Sequence, residues 1–423
     1  MIRRRFKHFM PERTEYSAKG QETLLSVSEY YGVKPRAEVF DEDAAKSRAE
    51  SLEGYRRVYA GDFVMNYMLA WKGAYGVSDY DGIVSPAYAV YRINPLYADR
   101  RFIHHRLRSE QMRSVFKAGS KGIIESRLRL YPDAFLSMAI DLPDLDAQSA
   151  IADFLDRETA RIDRLIEKKQ RLVKLSQERW LSTLSRSVFP SFPSWSSLPA
   201  GWRKVRLKYL TDQKRPIMYG IVLPGPNMDE GPMIVKGGDV KPDRLKPESL
   251  CRTTEEIEAR FVRSRLKSGD LVISIRGGIG DIEIVPKQIE GANLTQDAAR
   301  IAPRVGISAK WLRYCIMAPA VFHPLESRSL GAAVRGINIF DLKRVFVPRP
   351  PREEQLNIAK NLVEVENQLS KLRNKVVEHA NRLYEFRSAL VTAAVTGQID
   401  VTTWRERGQT DRQLDRIEEE MHA

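Results

Sequence analysis

One stretch of sequence occurs twice in this chain, and it limits what the chain can fold into. It runs from about Asp146 to Ser185 and again from about Glu354 to Val391, and Gln148 falls on Gln355 at an offset of 207 residues. In the second copy Ile358, Leu362, Val365, Leu369, Leu372, Val376, Leu383, Phe386 and Leu390 follow a 4-3-4-3 spacing interrupted only at His379. That spacing predicts a heptad helix with a seam for side-by-side packing. The first copy keeps the register at Ile151, Leu155, Ile162, Leu165 and Leu172, with Glu158, Lys169 and Ser176 also on the seam. Ile166, Val173 and Trp180 widen its apolar face. The lead-ins match as well: Leu-Pro-Asp-Leu-Asp-Ala-Gln (142–148) and Arg-Pro-Pro-Arg-Glu-Glu-Gln (349–355). In each, proline ends the preceding strand, and acids follow in the first helical turn, where the dipole favours them.

The duplication extends to what precedes each helix. Gly61-Asp62 and Gly269-Asp270 both open a β-run, 208 residues apart. In the first unit, strands are expected near Leu24–Ser28, Gly61–Asn66, Gly82–Val84 and Ala87–Ile93, with a helix around His105–Phe116. The expected partition is 1–141, a β-rich unit; 142–189, a spacer helix; 190–200, a Pro/Ser-rich linker; 201–348, a second β-rich unit; 349–397, the distal helix; and 398–423, a charged tail given no role. The fold class is α+β: two mixed α/β domains joined by two long antiparallel coiled-coil helices, a pseudo-twofold internal repeat.

The 423 residues carry a net charge of +14, which points to a polyanionic partner, nucleic acid before membrane. Two cysteines, Cys251 and Cys315, imply a reducing compartment, and the basic N-terminus is followed by no apolar signal segment. A cytoplasmic protein is expected. Two basic heads on a helical rod would read two DNA half-sites across an unread gap. A coiled-coil adaptor without sequence-specific reading is the alternative.

The sequence resembles the specificity subunit of type I restriction–modification systems over nearly its whole length. The segments that carry the resemblance are Leu25–Val33, Gln148–Asp163, Gly269–Gly277 and Arg387–Asp400. It implies two target-recognition domains, each reading half of a bipartite, asymmetric site in double-stranded DNA. It also implies helices that dock two adenine-methyltransferase (modification) subunits, joined by restriction (translocase/nuclease) subunits. S-adenosylmethionine, ATP and Mg are then expected on those partners and none on this chain. One departure is the start: a Trp-containing strand like that at Gly201-Trp202 is expected to be missing from the first unit.

Base edges are read best by Arg, Lys, Asn and Gln, whereas phosphates need only cations. The candidates in the first unit are Asn66, Lys72, Lys121 and Arg127, with Trp71 expected in the core. Those in the second are Arg276, Asn293, Gln296, Arg328, Ser329, Arg335 and Asn338. The basic run Arg100–Arg129 is expected to touch phosphates or lie in solvent. No Asn-Pro-Pro-aromatic tetrad, phosphate loop or zinc spacing occurs. The chain is therefore expected to be non-catalytic by itself.

Overall fold

Each heptad pattern becomes a single helix of 44 residues, Leu145–Val188 and Arg352–Val395, in the computed structural model. At ~1.5 Å per residue such a helix is about 66 Å long. The structure describes residues 2–40, 51–124, 127–190, 195, 198–328 and 336–422. It divides into two compact units, residues 1–171 with 375–423 and residues 172–374. This division cuts through both helices instead of setting them apart as separate domains, because their apolar faces belong to the cores of the units. Phe154, Leu155, Ile162, Leu383 and Leu390 are part of one core; Leu184, Val188, Ala359 and Leu362 are part of the other.

In the first unit, Ile2–Arg5 pairs antiparallel with Ala139–Leu142, the strand that leads into the first long helix. The first unit does therefore have an opening strand, without the tryptophan. Three consecutive arginines hid it, since they supply no apolar period and three of the four residues are exposed. Asp62–Asn66 is the centre of a three-stranded sheet, between Tyr75–Val77 and Tyr88–Arg92. The single helix expected at 105–116 is two, Arg100–Arg108 and Glu110–Gly119, split where the Ser109 side chain caps the second.

The second unit has the same plan. Arg203–Arg206 pairs with Phe346–Arg349, and Leu271–Ser274 lies inside a four-stranded sheet. Corresponding ion pairs brace the two: Arg13 Nε to Asp62 at 2.8 Å in one, Arg215 to Asp270 in the other. Gly61 and Gly269, at φ +97° and +84°, make the turn that aims each aspartate, a conformation open to glycine at little cost.

The start of each long helix is fixed by one buried glutamine. Gln148 Oε1 accepts from Asp99 N at 2.9 Å, and its Nε2 donates to the carbonyls of Pro143 and Tyr97 at 2.9 and 3.1 Å. In the other unit Gln355 Oε1 accepts from Ser308 N and Nε2 donates to Pro350 O, both at 3.0 Å. Asp99 and Ser308 are themselves the caps of the helices Arg100–Arg108 and Ala309–Met317. One carboxamide thus joins a strand end, a short helix and a long helix.

The heptad positions divide. Leu155, Ile162, Leu362, Val376 and Leu383 are buried, and Ile151, Leu165 and Ile358 pack against the cores. Leu369 is half-buried. Leu172 and Leu372 are 39% and 41% exposed, against expectation. Both stand near the points where the unit boundary crosses each helix, at 171/172 and 374/375, and neither belongs to a core. In the first unit Asp163 bonds Arg387 and Gln170 bonds Tyr384, so numbering rises along one helix as it falls along the other.

The charged tail forms two helices, Val401–Glu406 and Gln409–His422. Trp404, Leu414 and Ile417 join the first unit's core. Asp411 pairs with Arg161, Glu418 with Lys169, and Glu420 with Arg382.

Two outcomes are expected. Gln148→Ala or Gln355→Ala strips buried amide and carbonyl groups of their partner and should cost roughly 2–3 kcal/mol in denaturant unfolding. His104 Nδ1 accepts from Val77 N at 3.3 Å, and burial pushes the imidazole down to about 3. The unfolded imidazole titrates near 6.5, so the unfolded chain takes up a proton that the native chain excludes. Stability should be full above pH ~6.5 and fall as pH drops toward 3, with a shallower fall in H104Q by about one proton.

Candidate nucleic-acid interface

Several of the sequence candidates stand near the end of the central strand of each unit. In the second unit Leu271–Ser274 runs out into Ile275-Arg276-Gly277, and Ile275 O accepts from Ile337 N at 2.9 Å while Arg276 bridges Gly336. In the first, Tyr67 O accepts from Leu130 N at 2.9 Å, the corresponding bond at the end of the corresponding strand. Each unit therefore ties the loop after its helix pair to the tip of its central strand. The first unit's loop carries Lys121 and Arg127, and in the second unit Arg328 is the last residue of the helix Pro319–Arg328.

In the first unit Lys121 and Arg129 exchange two backbone bonds of 2.9 Å, making a stem below the turn that Arg127 N closes onto Ile124 O. Lys121, Arg127 and Arg129 are exposed. Lys72 Nζ and Lys117 Nζ lie 5.1 and 5.8 Å from the Trp71 ring. Trp71 is half-buried, a platform under two ammonium groups more than a core residue. Lys72, Lys121 and Arg127 thus belong to one cationic edge.

In the second unit Arg276 is exposed, and Gly277 at φ +78° turns the chain just beyond it. Asp297 O accepts from Ile275 N and Arg276 N at 2.8 and 3.2 Å, which sets the half-buried Gln296 beside Arg276. Asn338 caps the helix Ile339–Arg344, its Oδ1 accepting from Phe340 N at 2.8 Å. Asn338 is exposed. Arg328 pairs with Asp341 of that same helix at 3.2 Å. Ser329, Arg335 and the Gly-Ala-Ala loop at 331–333 lie outside the described residues.

Two asparagines are not on these edges. Asn66 is 5% exposed and its Oδ1 accepts from Met68 N, closing a turn. Asn293 is fully buried, bonded to Ser264, Glu258 and the Phe261 carbonyl. Both are buried and satisfy local polar groups inside the fold, and both amide hydrogens of Asn293 are already donated. The run Arg100–Arg129 also spends cations internally. Arg101 pairs with Asp153 at 2.6 Å, and Arg108 donates to the carbonyls of Tyr75, Glu29 and Gly73 at 2.5, 2.8 and 3.3 Å. Burial lowers the Arg108 guanidinium to about 10, still charged at neutral pH.

Sequence reasoning covered Lys117 and Arg129 only as members of the run Arg100–Arg129, and it did not name Arg344, whose guanidinium stacks 3.6 Å over the exposed Phe340 ring. Lys117 and Arg129 each stand within eight residues of a chosen cation, the signal that was available. No group of His, Cys, Asp or Glu among the described residues could hold a metal ion, and none of the described helices is long and apolar enough to cross a membrane. Alanine at both Arg276 and Arg328 should leave the melting temperature within ~2 °C, because both lie outside the core. Asn293→Ala should lower it clearly, and differential scanning calorimetry separates the two.

No family model matches the chain. The type I restriction enzyme EcoBI specificity subunit of Escherichia coli is 24% identical over 325 residues, 73% of this chain and 67% of that protein. A second relative, the putative type I restriction enzyme MjaX specificity subunit of Methanocaldococcus jannaschii, is 22% identical over 374 residues, 84% of this chain and 82% of that protein. A chain from a solved structure, described as the structural basis of complex assembly and conformational transition of the type I restriction–modification system, superposes with a TM-score of 0.68. It is 19% identical and the match covers 93% of this chain and 97% of that one. The resemblance read from the sequence therefore holds: the chain is similar to type I restriction enzyme specificity subunits, and it has the mixed helix-and-strand fold of a type I restriction–modification structure.

Proposed function

We propose that this chain is the DNA-specificity subunit of a type I restriction–modification complex, cytoplasmic and non-catalytic by itself. Each unit is a target-recognition domain that reads one half of a bipartite, asymmetric site. The two long helices form an antiparallel coiled-coil spacer that sets the unread gap and docks two modification subunits, to which restriction subunits add. S-adenosylmethionine, ATP and Mg belong to those partners.

The observation that carries this reading is the recurrence of one cationic edge in two units whose edge residues differ. Arg276, Gln296 and Asn338 stand in one unit and Lys72, Lys121 and Arg127 in the other. Equal architecture with unequal side chains suits two half-sites of unequal sequence. The matched glutamine locks and ion pairs support a pseudo-twofold internal repeat.

The test is methylome sequencing of cells that express this chain with its modification subunit. A split motif with methyladenine in each half, lost without this chain, is the expected result. Exchanging residues 1–141 for another recognition domain should change one half-site only; a change in both would end the modular reading. Inserting a heptad between 151 and 185 should lengthen the gap, and an unaltered gap would refute the spacer role. Sequence-independent binding by an assembled complex would favour the coiled-coil adaptor.

A further inference from the structure

We propose that the second unit holds a binding site for a phosphate group in a recess of about 430 Å³ below Arg300, away from the edge that carries Arg276. The inference stands independently of DNA reading. Arg300 lies on the strand Ala298–Ile301, paired with Leu271–Ser274, and sits opposite Val272. Arg276 extends from the other end of Leu271–Ser274, so the recess and the cationic edge lie toward opposite ends of the strand.

Arg300 is 1% exposed. Its guanidinium donates to three carbonyls, those of Arg263 at 2.7 Å, Arg265 at 2.9 Å and Pro216 at 3.2 Å, and its Nε finds no acceptor in the chain. Carbonyls satisfy hydrogen bonds but leave the net charge, and a buried charge without a counter-charge is costly. Nearby acids do little to offset it. Asp270 is bonded to Arg215, and Glu258 to Arg265. Asp212 acts on Arg300 only through space, and Glu290 lines the wall. The mouth carries Lys214, Arg263 and Lys267, all exposed and without an acidic partner among the described residues.

Six basic groups therefore surround or line the recess against four acids, two of which are already paired. An entering phosphate would take hydrogen bonds from the mobile ammonium groups at the rim while the fixed Arg300 charge behind them supplies field. Lysine suits this role as a point charge, and the volume admits a phosphate with an attached sugar. In the first unit the residue paired with Val64, as Arg300 is paired with Val272, is the apolar Val90. The first unit thus lacks the buried, uncompensated cation.

The test follows thermal unfolding of the full chain in inorganic phosphate at fixed ionic strength, with chloride as the balancing salt. A tenfold excess over Kd should raise Tm by roughly 3 °C. The double variant Lys214→Gln/Lys267→Gln alters only exposed rim side chains; it should melt with the parent in chloride and lose the phosphate shift. No shift in the parent, or an equal shift in the variant, overturns the site. The source of the phosphate is read from duplex binding against salt. An unchanged slope in the variant assigns the site to a free phosphate-bearing ligand; a slope smaller by about two assigns it to the DNA backbone.

Discussion

Everything else in each unit is positioned by a glutamine side chain with almost no contact with water. Gln148 and Gln355 are 1% and 0% exposed, and each closes the corner between an incoming strand, a capped short helix and a 44-residue helix. A carboxamide suits this corner because it offers an acceptor and donors at one point, so it can serve a helix-start amide and strand-end carbonyls together. An acid would repel the carbonyls, and an apolar residue would leave polar backbone buried and unpaired. From this corner the short helix, the loop after it and the cationic edge all take their direction.

The long helices were legible because burial on one side of a helix leaves a period that composition cannot hide. The short strands Asp62–Asn66 and Leu271–Ser274 were legible for a related reason, since each follows Gly-Asp and is apolar through most of its length. Ile2–Arg5 was not, because a strand at the edge of a two-stranded sheet needs no apolar alternation. The tail helix was also missed as a packed element. Its seam is made of ion pairs as much as of Leu414 and Ile417, and ion pairs carry no readable partner in a sequence.

The candidate sites divide by the same logic. Sequence picks residue types, and tertiary structure decides whether their polar atoms are already used. Asn66 and Asn293 have the right chemistry for reading adenine, yet the fold spends it on a turn and on a buried network. Arg101 and Arg108 belong to a run whose charge suggests phosphate contact, yet they hold a helix and a set of carbonyls. Lys121, Arg127 and Arg276 remain at the surface because the segments that carry them meet strand tips, and Lys72 is exposed at the end of the short 3-10 helix Ala70–Lys72. Proximity in space came from backbone bonds such as Ile337 N to Ile275 O, which link positions more than sixty residues apart. No local pattern in the sequence encodes those bonds.

The tail helix Gln409–His422 lays Asp411, Glu418 and Glu420 against Arg161, Lys169 and Arg382 of the two long helices. In effect the chain brings its own counterions. Three cations on an elongated helical surface would otherwise condense any polyanion that drifted past, and the acids of the tail occupy them with a fixed, covalently attached ligand. The net charge of +14 already counts these tail acids; what the pairing fixes is where on the helices the positive charge is neutralised. These three helix cations are spoken for within the first unit, and the net positive charge is carried by other side chains.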